Sequence, residues 1–103
     1  MVKKLKYLVV IPARYSSTRL PGKPLIDICG LPMIIRTCRQ CLKTVPSKNL
    51  IVATDDKRVV KCCEKSGIQT ILTSKRCLTG TDRVAEVERK IKVKHYINVQ
   101  GDE

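Results

Sequence analysis

The run from Leu5 to Ile11 constrains the fold more than any other feature, because it is almost continuously apolar and rich in β-branched residues. A strand that is hydrophobic on both faces is typical of a parallel sheet covered by helices on either side. Three more segments have the length and composition of strands: Asn49–Thr54, Ile68–Leu72 and His95–Val99. The apolar run therefore predicts the first of four strands in an α/β fold.

Helical patterns separate the predicted strands. Leu31–Thr44 has apolar residues at helical spacing, and Pro32 near its start suits a first helical turn. Asp55-Asp56 supplies a cap for a second helix, which ends near Ser66. Thr79–Asp82 opens a third helix, whose apolar face consists of Val84, Val87 and Ile91.

The alternation of strands and helices predicts the topology of the sheet. Such βαβ units form an open, mainly parallel sheet with flanking helices, a Rossmann-like arrangement. Right-handed crossovers give the strand order 3-2-1-4. The carboxyl ends of the first and fourth strands then lie side by side at the topological switch point, where open α/β sheets bind ligands. With 103 residues, the chain forms one domain at most.

The net charge of +12 favours an anionic partner, whether phosphate esters, nucleic acid or an acidic membrane. Proteins that bind single-stranded nucleic acid usually stack bases on aromatic rings, and this chain has three tyrosines and no Trp or Phe. No apolar run approaches the roughly 18 residues that span a membrane. The basic N-terminus lacks a small-residue cleavage site. We therefore expect a cytoplasmic protein with neither nucleic acid nor a membrane as its partner.

Six cysteines raise the questions of disulfides and zinc: Cys29, Cys38, Cys41, Cys62, Cys63 and Cys77. A disulfide framework needs an oxidising compartment, and the sequence offers no export signal. Zinc ligation by Cys38-x-x-Cys41 with Cys62-Cys63 conflicts with the helical pattern of both segments, since the adjacent pair points to different faces of its helix. We expect reduced, mostly buried thiols that pack as small hydrophobic residues.

The loop from Pro12 to Pro24 carries the densest chemistry of the chain. It combines three cations, three hydroxyls and a glycine that lets the backbone approach a ligand: Arg14, Arg19, Lys23, Ser16, Ser17, Thr18 and Gly22. Arginines, a point-charge lysine and hydroxyl or backbone donors are the groups that bind a triphosphate. A Walker A motif is excluded, because Ser17 and Pro24 stand where it requires Gly and Ser or Thr, and the Rossmann glycine fingerprint is absent.

Four segments form an ordered set of motifs: Val10–Leu25 (VIPARYSSTRLPGKPL), Ile51–Asp55 (IVATD), Thr79–Arg83 (TGTDR) followed by Ala85-Glu86, and Asn98–Glu103 (NVQGDE). This set resembles the CMP-Kdo synthetase family, the 3-deoxy-manno-octulosonate cytidylyltransferases. Acylneuraminate cytidylyltransferases share the Pro-Ala-Arg theme of the first motif but not its Ser-Thr-Arg-Leu-Pro-Gly-Lys-Pro-Leu run. The resemblance implies a GT-A-like nucleotidyltransferase that forms CMP-Kdo and pyrophosphate from CTP and Kdo for lipopolysaccharide synthesis.

The resemblance also implies which residues bind the nucleotide. In that family the loop after the first strand wraps CTP, so Arg14, Arg19 and Lys23 would contact the phosphates as catalytic residues. Ser17 is a further nucleotide-binding candidate in this loop, and the backbone of Pro12-Ala13 would help to hold the cytosine. Base and ribose would be read by a second set: Thr79, Gly80, Thr81 and Gln100. A capping role explains Thr79 or Thr81 about as well.

Asp102 is, by the same resemblance, a ligand of Mg²⁺. It follows the fourth strand and faces the basic loop, and Mg²⁺ prefers one or two carboxylates together with phosphate oxygens and water. Arg83 could add charge to the nucleotide site or merely solvate a helix, and the sequence leaves both open. His95, the one histidine of the chain, is interpreted as structural.

The reaction implied is in-line attack of the anomeric hydroxyl of Kdo on the α-phosphorus of CTP, which requires no covalent nucleophile. The family continues beyond the last motif with a portion that brings the sugar pocket, a second metal-binding carboxylate and dimer contacts. We therefore expect residues 1–103 to be the N-terminal nucleotide-binding portion of a homodimeric enzyme, binding CTP weakly and inactive alone. Two alternatives stay open: a cytidylyltransferase for a sialic-type or amino-substituted Kdo acid, and a basic, non-enzymatic nucleotide- or nucleic-acid-binding module.

Overall fold

The computed structural model describes residues 6–15, 23–28, 30–74 and 80–99, with the backbone alone at positions 23, 28, 80 and 81. Two short 3-10 turns accompany the strands and helices of this part of the chain. The strands and helices are, in order, β1 (Tyr7–Ala13), β2 (Asp27–Ile28), β3 (Leu31–Pro32), α1 (Met33–Leu42), β4 (Leu50–Thr54), α2 (Lys57–Lys65), β5 (Thr70–Leu72), α3 (Gly80–Lys90) and β6 (His95–Asn98).

The main sheet of the described residues has four strands in the order β5-β4-β1-β6. All its neighbouring strands are parallel. This arrangement confirms the predicted fold class and the predicted order 3-2-1-4. β1 lies between β4 and β6, so its backbone is paired on both sides, with Ala13 beside Thr54 and Val10 beside Asn98.

Helices cover the two faces of this sheet. α1 and α2 pack on one face, in a cluster whose central residues include Ile11, Ile35 and Val52. α3 packs on the other face, where Val84 and Val87 contact the cluster that includes Val10. Because alternate residues of β1 enter opposite clusters, the stretch 8–11 of the apolar run is buried on both faces, as predicted.

Pro12 is tolerated in the central strand because of the side that its missing N–H would face. The carbonyl of Val10 accepts from the N–H of Val99 at 3.0 Å, so Val10 and, two residues on, Pro12 turn their backbone groups towards β6. The paired register of β6 ends at Asn98, opposite Val10. Pro12 therefore removes no donor from the β1–β6 ladder.

The prediction of one helix over Leu31–Thr44 is wrong at its start. Leu31–Pro32 pairs antiparallel with Asp27–Ile28 in a small hairpin, whose turn contains Gly30 at φ +91°. The N–H of Met33 donates to the carbonyl of Ile26 at 2.8 Å. Pro32 is thus the residue before the helix, in extended conformation, and not part of its first turn. A hydrogen bond across the hairpin keeps this segment extended, although the local spacing of its apolar residues favours a helix.

The cysteines of the described residues are free thiols. Cys38 and Cys63 are fully buried in the cluster beneath α1 and α2, whereas Cys41 and Cys62 are half-buried beside it. Burial first, and then the neighbouring thiols, raise the pKa of Cys38 from 9.0 to about 12, and the pKa of Cys63 rises to the same value for the same reasons. The prediction that these cysteines pack as small hydrophobic residues is confirmed for Cys38 and Cys63; Cys29 and Cys77 lie outside the described residues.

The raised pKa values predict that Cys38 and Cys63 resist alkylation. A pKa near 12 in place of 9.0 makes the thiolate fraction at pH 8 about a thousandfold smaller, and the thiolate is the reactive form. Iodoacetamide labelling followed by peptide mass spectrometry should find both residues modified at least about tenfold more slowly in the native protein than in urea. Equal native and denatured rates at Cys38 would contradict the burial seen here.

Two isoleucines of the sheet offer a matched test of the core. Ile11 in β1 is fully buried, whereas Ile97 in β6 is 46% exposed. We expect Ile11→Ala to lower the free energy of unfolding by about 2–5 kcal/mol, and Ile97→Ala by under about 1 kcal/mol. Urea denaturation of the two variants measures both values. Similar losses would mean that β1 is not the centre of the core.

Candidate functional site

The carboxyl ends of β1, β4 and β6 bring three segments to one edge of the sheet. β1 ends at Ala13, which lies beside Thr54 at the end of β4. On its other side, the N–H of Val99, just after β6, donates to the carbonyl of Val10. Arg14 is exposed and directly follows β1. Ligands of open α/β sheets bind at this edge, so it is the candidate site.

A buried ion pair lies at this edge. Asp55 follows β4, and its carboxylate is 4.0 Å from the guanidinium of Arg83 in α3. The two side chains are 8% and 1% exposed. The guanidinium also donates to the hydroxyl of Thr73. The backbone N–H of Thr73 in turn donates to the carbonyl of Thr54 at 2.7 Å. Arg83 therefore connects the beginning of α3 to the ends of β4 and β5.

Two further side chains of α3 bind the backbone that leaves β5. Glu86 accepts from the N–H of Ser74 with both carboxylate oxygens, at 3.1 and 2.9 Å. Lys90 contacts Glu86 at 3.0 Å and donates to the carbonyl of Leu72 at 3.3 Å. Arg83, Glu86 and Lys90 recur at helical spacing on one face of α3. This face therefore binds three successive residues at the end of β5: Leu72, Thr73 and Ser74.

Tyr15 is held twice by the segment that follows β4. Its N–H donates to Asp55 Oδ1 at 3.3 Å. Its ring lies under the guanidinium of Arg58, 3.6 Å from Cζ to the ring centroid, which is a cation–π contact. Asp56 fixes Arg58 through two hydrogen bonds, at 3.0 Å to Nε and 2.8 Å to Nη2, and also caps α2 by accepting from the backbone N–H of Arg58 at 2.7 Å.

The two aspartates therefore differ in role, which corrects the prediction that Asp55-Asp56 together cap a helix. Asp56 is the cap of α2. Asp55 instead accepts from Tyr15 and pairs with Arg83. One carboxylate suffices for a cap, so the second is available for the buried arginine.

The structure describes the positions of part of the predicted nucleotide-binding set. Pro12 and Ala13 end β1, and Arg14 follows at the candidate edge. Gly80 and Thr81 begin α3, and Lys23 begins a 3-10 turn. The other predicted residues, Ser17, Arg19, Thr79, Gln100 and the metal ligand Asp102, lie outside the described residues.

Arg83 answers one question that the sequence left open. The side chain is buried, so the interpretation that it solvates a helix is wrong. Asp55, Tyr15, Thr73 and Glu86 were not predicted for this edge. A surplus aspartate directly after a fully buried strand, and the spacing of Arg83, Glu86 and Lys90, are the signals that could have indicated them.

The described ranges contain neither a cluster of metal-binding side chains nor a membrane-spanning helix. No three His, Cys, Asp or Glu side chains there form a group that could hold a metal ion. None of the helices there has the length and apolar character needed to cross a membrane.

His95 begins β6 with an exposed side chain, and its N–H donates to the carbonyl of Lys6 at 3.1 Å.

The sequence of this chain is similar to known proteins along almost its whole length. The family model described as cytidylyltransferase matches residues 8–103. A 3-deoxy-manno-octulosonate cytidylyltransferase of Marinobacter nauticus is 47% identical over 102 residues, which cover 96% of this chain and 39% of that protein. The protein of that name from Escherichia coli is 47% identical over 98 residues, 95% of this chain and 40% of its own length. The chain thus spans about 40% of the length of these curated relatives.

Two solved structures have a fold similar to that of this chain. CMP:2-keto-3-deoxy-manno-octonic acid synthetase complexed with CTP superposes with a TM-score of 0.84 and 45% identity, covering 96% of this chain and 41% of that one. A cytidylyltransferase from Leptospira borgpetersenii has a TM-score of 0.76 and 23% identity, covering 95% of this chain and 42% of that one, which shows the shared fold alone.

The buried pair predicts a large effect of a small change. Asp55→Asn keeps the shape of the side chain but leaves Arg83 buried without its counter-charge, which costs about 3–5 kcal/mol. Glu88→Gln makes the same chemical change on the exposed surface of α3 and should alter the free energy of unfolding by no more than about 0.5 kcal/mol. Urea denaturation of both variants tests this; equal effects would show that Asp55 does not neutralise Arg83.

Proposed function

Because this chain belongs to the cytidylyltransferase family, we propose that it carries the nucleotide-binding part of a CTP-dependent transferase that forms CMP-Kdo and pyrophosphate from CTP and Kdo. Similarity to known proteins carries the proposal. Relatives named 3-deoxy-manno-octulosonate cytidylyltransferase are 47% identical along almost the whole chain, and the similar solved synthetase is complexed with CTP. Activity and substrates belong to the proposal, since the chain spans about 40% of those relatives.

The cations of the candidate edge support binding of a triphosphate, the charged part of CTP. Arg14 follows β1 where the ends of β1 and β4 meet, and the sequence adds Arg19 and Lys23 to the same loop. Cations beside a phosphoryl group stabilise the charge that develops on its oxygens during transfer. We assign the phosphates to these three residues and to Ser17. The cytosine and ribose are assigned to the Pro12-Ala13 backbone and to a second set: Thr79, Gly80, Thr81 and Gln100.

Magnesium enters the proposal through Asp102. The two carboxylates that directly follow β4, Asp55 and Asp56, already pair with Arg83 and Arg58. A carboxylate outside these pairs is a suitable hard oxygen donor for Mg²⁺, together with phosphate oxygens. When bound, the ion would offset the negative charge of the triphosphate. Lipopolysaccharide synthesis, a cytoplasmic location and a homodimeric longer protein complete the proposal.

Arg83 takes an indirect part in this proposal. Its guanidinium is occupied by Asp55 and Thr73, inside the protein. It therefore orders the beginning of α3, where Gly80 and Thr81 lie, and the nucleotide is read by the segment that it holds. The N–H groups of a first helical turn are donors without intrahelical partners, which suits contact with a ribose or base.

Nucleotide binding by this chain tests the proposal directly. We expect CTP in the presence of Mg²⁺ to bind more tightly than ATP, GTP or CMP in calorimetric titration. Arg14→Gln should weaken CTP binding about ten- to a hundredfold, the equivalent of one charged hydrogen bond. Arg39→Gln, the same change on the exposed surface of α1, should alter it less than about twofold.

The alternatives have their own outcomes in the same experiment. Steeply salt-dependent binding of DNA or RNA, without preference for CTP, would favour the non-enzymatic module and contradict the proposal. The sugar acids are separated in the longer protein of the proposal, since we expect residues 1–103 alone to be inactive: Kdo, a sialic acid and an amino-substituted Kdo are titrated into its CTP-loaded form, with pyrophosphate release as a second readout. A response to a sialic acid and not to Kdo would overturn the substrate.

A further inference from the structure

The backbone on both sides of Arg14 is fixed by the segment at the end of β4. Before Arg14, Ala13 is in register with Thr54. After it, the N–H of Tyr15 donates to Asp55, the next residue along that segment. The parallel course of the two chains thus continues one step beyond the sheet. Arg14 projects from a short stretch whose two ends cannot move independently.

The ring of Tyr15 adds a second, independent restraint. It is half-buried against the core cluster beneath α1 and α2, and Arg58 covers it from the other side. Arg58 is itself 61% exposed, but its two hydrogen bonds to Asp56 fix the plane of its guanidinium. The amide of Tyr15 restrains the path of the chain, and the ring restrains its rotation. Both restraints originate in the consecutive residues Asp55 and Asp56.

We propose that Tyr15 is a positioning residue, which Asp55 and Arg58 hold so that Arg14 is positioned for an anionic ligand. This inference rests on the proposed function, because its ligand is the triphosphate tail of CTP. Tyr15 acts on the ligand through Arg14 and need not touch it.

The energetics separate this role from a contribution to folding. An exposed cation–π contact is worth about 0.5–1 kcal/mol, and an exposed ion pair contributes little to stability. Losing the Arg58–Tyr15 contact therefore leaves the fold intact. Fixing the backbone around Arg14 before the ligand arrives, by contrast, removes an entropic cost from each binding event. The restraint on Tyr15 should appear mainly in the affinity for phosphates.

The test compares CTP with CMP, which lacks the two terminal phosphates. Tyr15→Ala removes the ring and should weaken CTP binding about five- to tenfold while changing the affinity for CMP less than about twofold. Tyr15→Phe keeps the ring and the amide and should behave as the unaltered protein. Calorimetric titration of both nucleotides into each variant gives the ratio of their dissociation constants, which a merely structural role would not change.

Arg58 offers a version of the test without a change to the half-buried ring. Arg58→Gln should weaken CTP binding about three- to fivefold and retain the cap of α2, because Asp56 accepts there from a backbone N–H. Lys61→Gln removes the same charge from an exposed position of α2 and should change CTP binding less than about twofold. The double variant Tyr15→Ala, Arg58→Gln should bind CTP no more weakly than Tyr15→Ala alone, since Arg58 acts through the ring.

Failure of the inference and failure of the proposed function give different results. If the unaltered chain does not prefer CTP to CMP, the proposed function is wrong, whatever the variants do. If it does prefer CTP, and Tyr15→Ala and Arg58→Gln keep that preference as Tyr15→Phe and Lys61→Gln do, the positioning role is wrong. Additive losses in the double variant would also overturn it. A thermal unfolding midpoint for each variant verifies that it is folded; if Tyr15→Ala is not, Arg58→Gln decides.

Discussion

The double pairing of β1, with β4 on one side and β6 on the other, determines where everything else in the molecule lies. A strand in the middle of a parallel sheet has no polar face, so its side chains need helices above and below it. α1 and α2 supply one cover and α3 the other. Parallel strands also end at the same edge, so the loops that follow them converge even though they are far apart in sequence.

At that edge, Asp55 connects elements that the sheet alone would leave independent. It accepts from Tyr15 in the segment after β1 and pairs with Arg83 in α3. Burial makes the pair sensitive to the loss of either member, because an unpaired charge there has little water to stabilise it. In the described residues, no buried side-chain nitrogen or oxygen lacks a hydrogen-bond partner. The buried polar side chains described at this edge thus all have hydrogen-bond partners.

The sequence was sufficient for the sheet and much less so for this edge. Strand order and the apolar face of α3 follow from patterns that repeat along the chain, and the structure confirms them. The hairpin at Leu31–Pro32 and the role of Asp55 depend on single hydrogen bonds between separate segments, as between Tyr15 and Asp55, 40 residues apart. Hydrophobic periodicity does not predict such contacts. Side-chain roles for Ser17, Arg19, Lys23, Gln100 and Asp102 stay predictions.

The pairing of charges at this edge also bears on how a metal and a triphosphate could share it. Asp55, Asp56 and Glu86 each contact a cation, so these three carboxylates add little negative potential of their own. The field of a strongly basic chain then favours a polyanion there. Were Asp55 to bind Mg²⁺, Arg83 would lose its counter-charge inside the protein, at a cost that exposed carboxylates do not incur. A metal ligand is therefore expected among the carboxylates outside these pairs, and the family resemblance proposes Asp102 for that role.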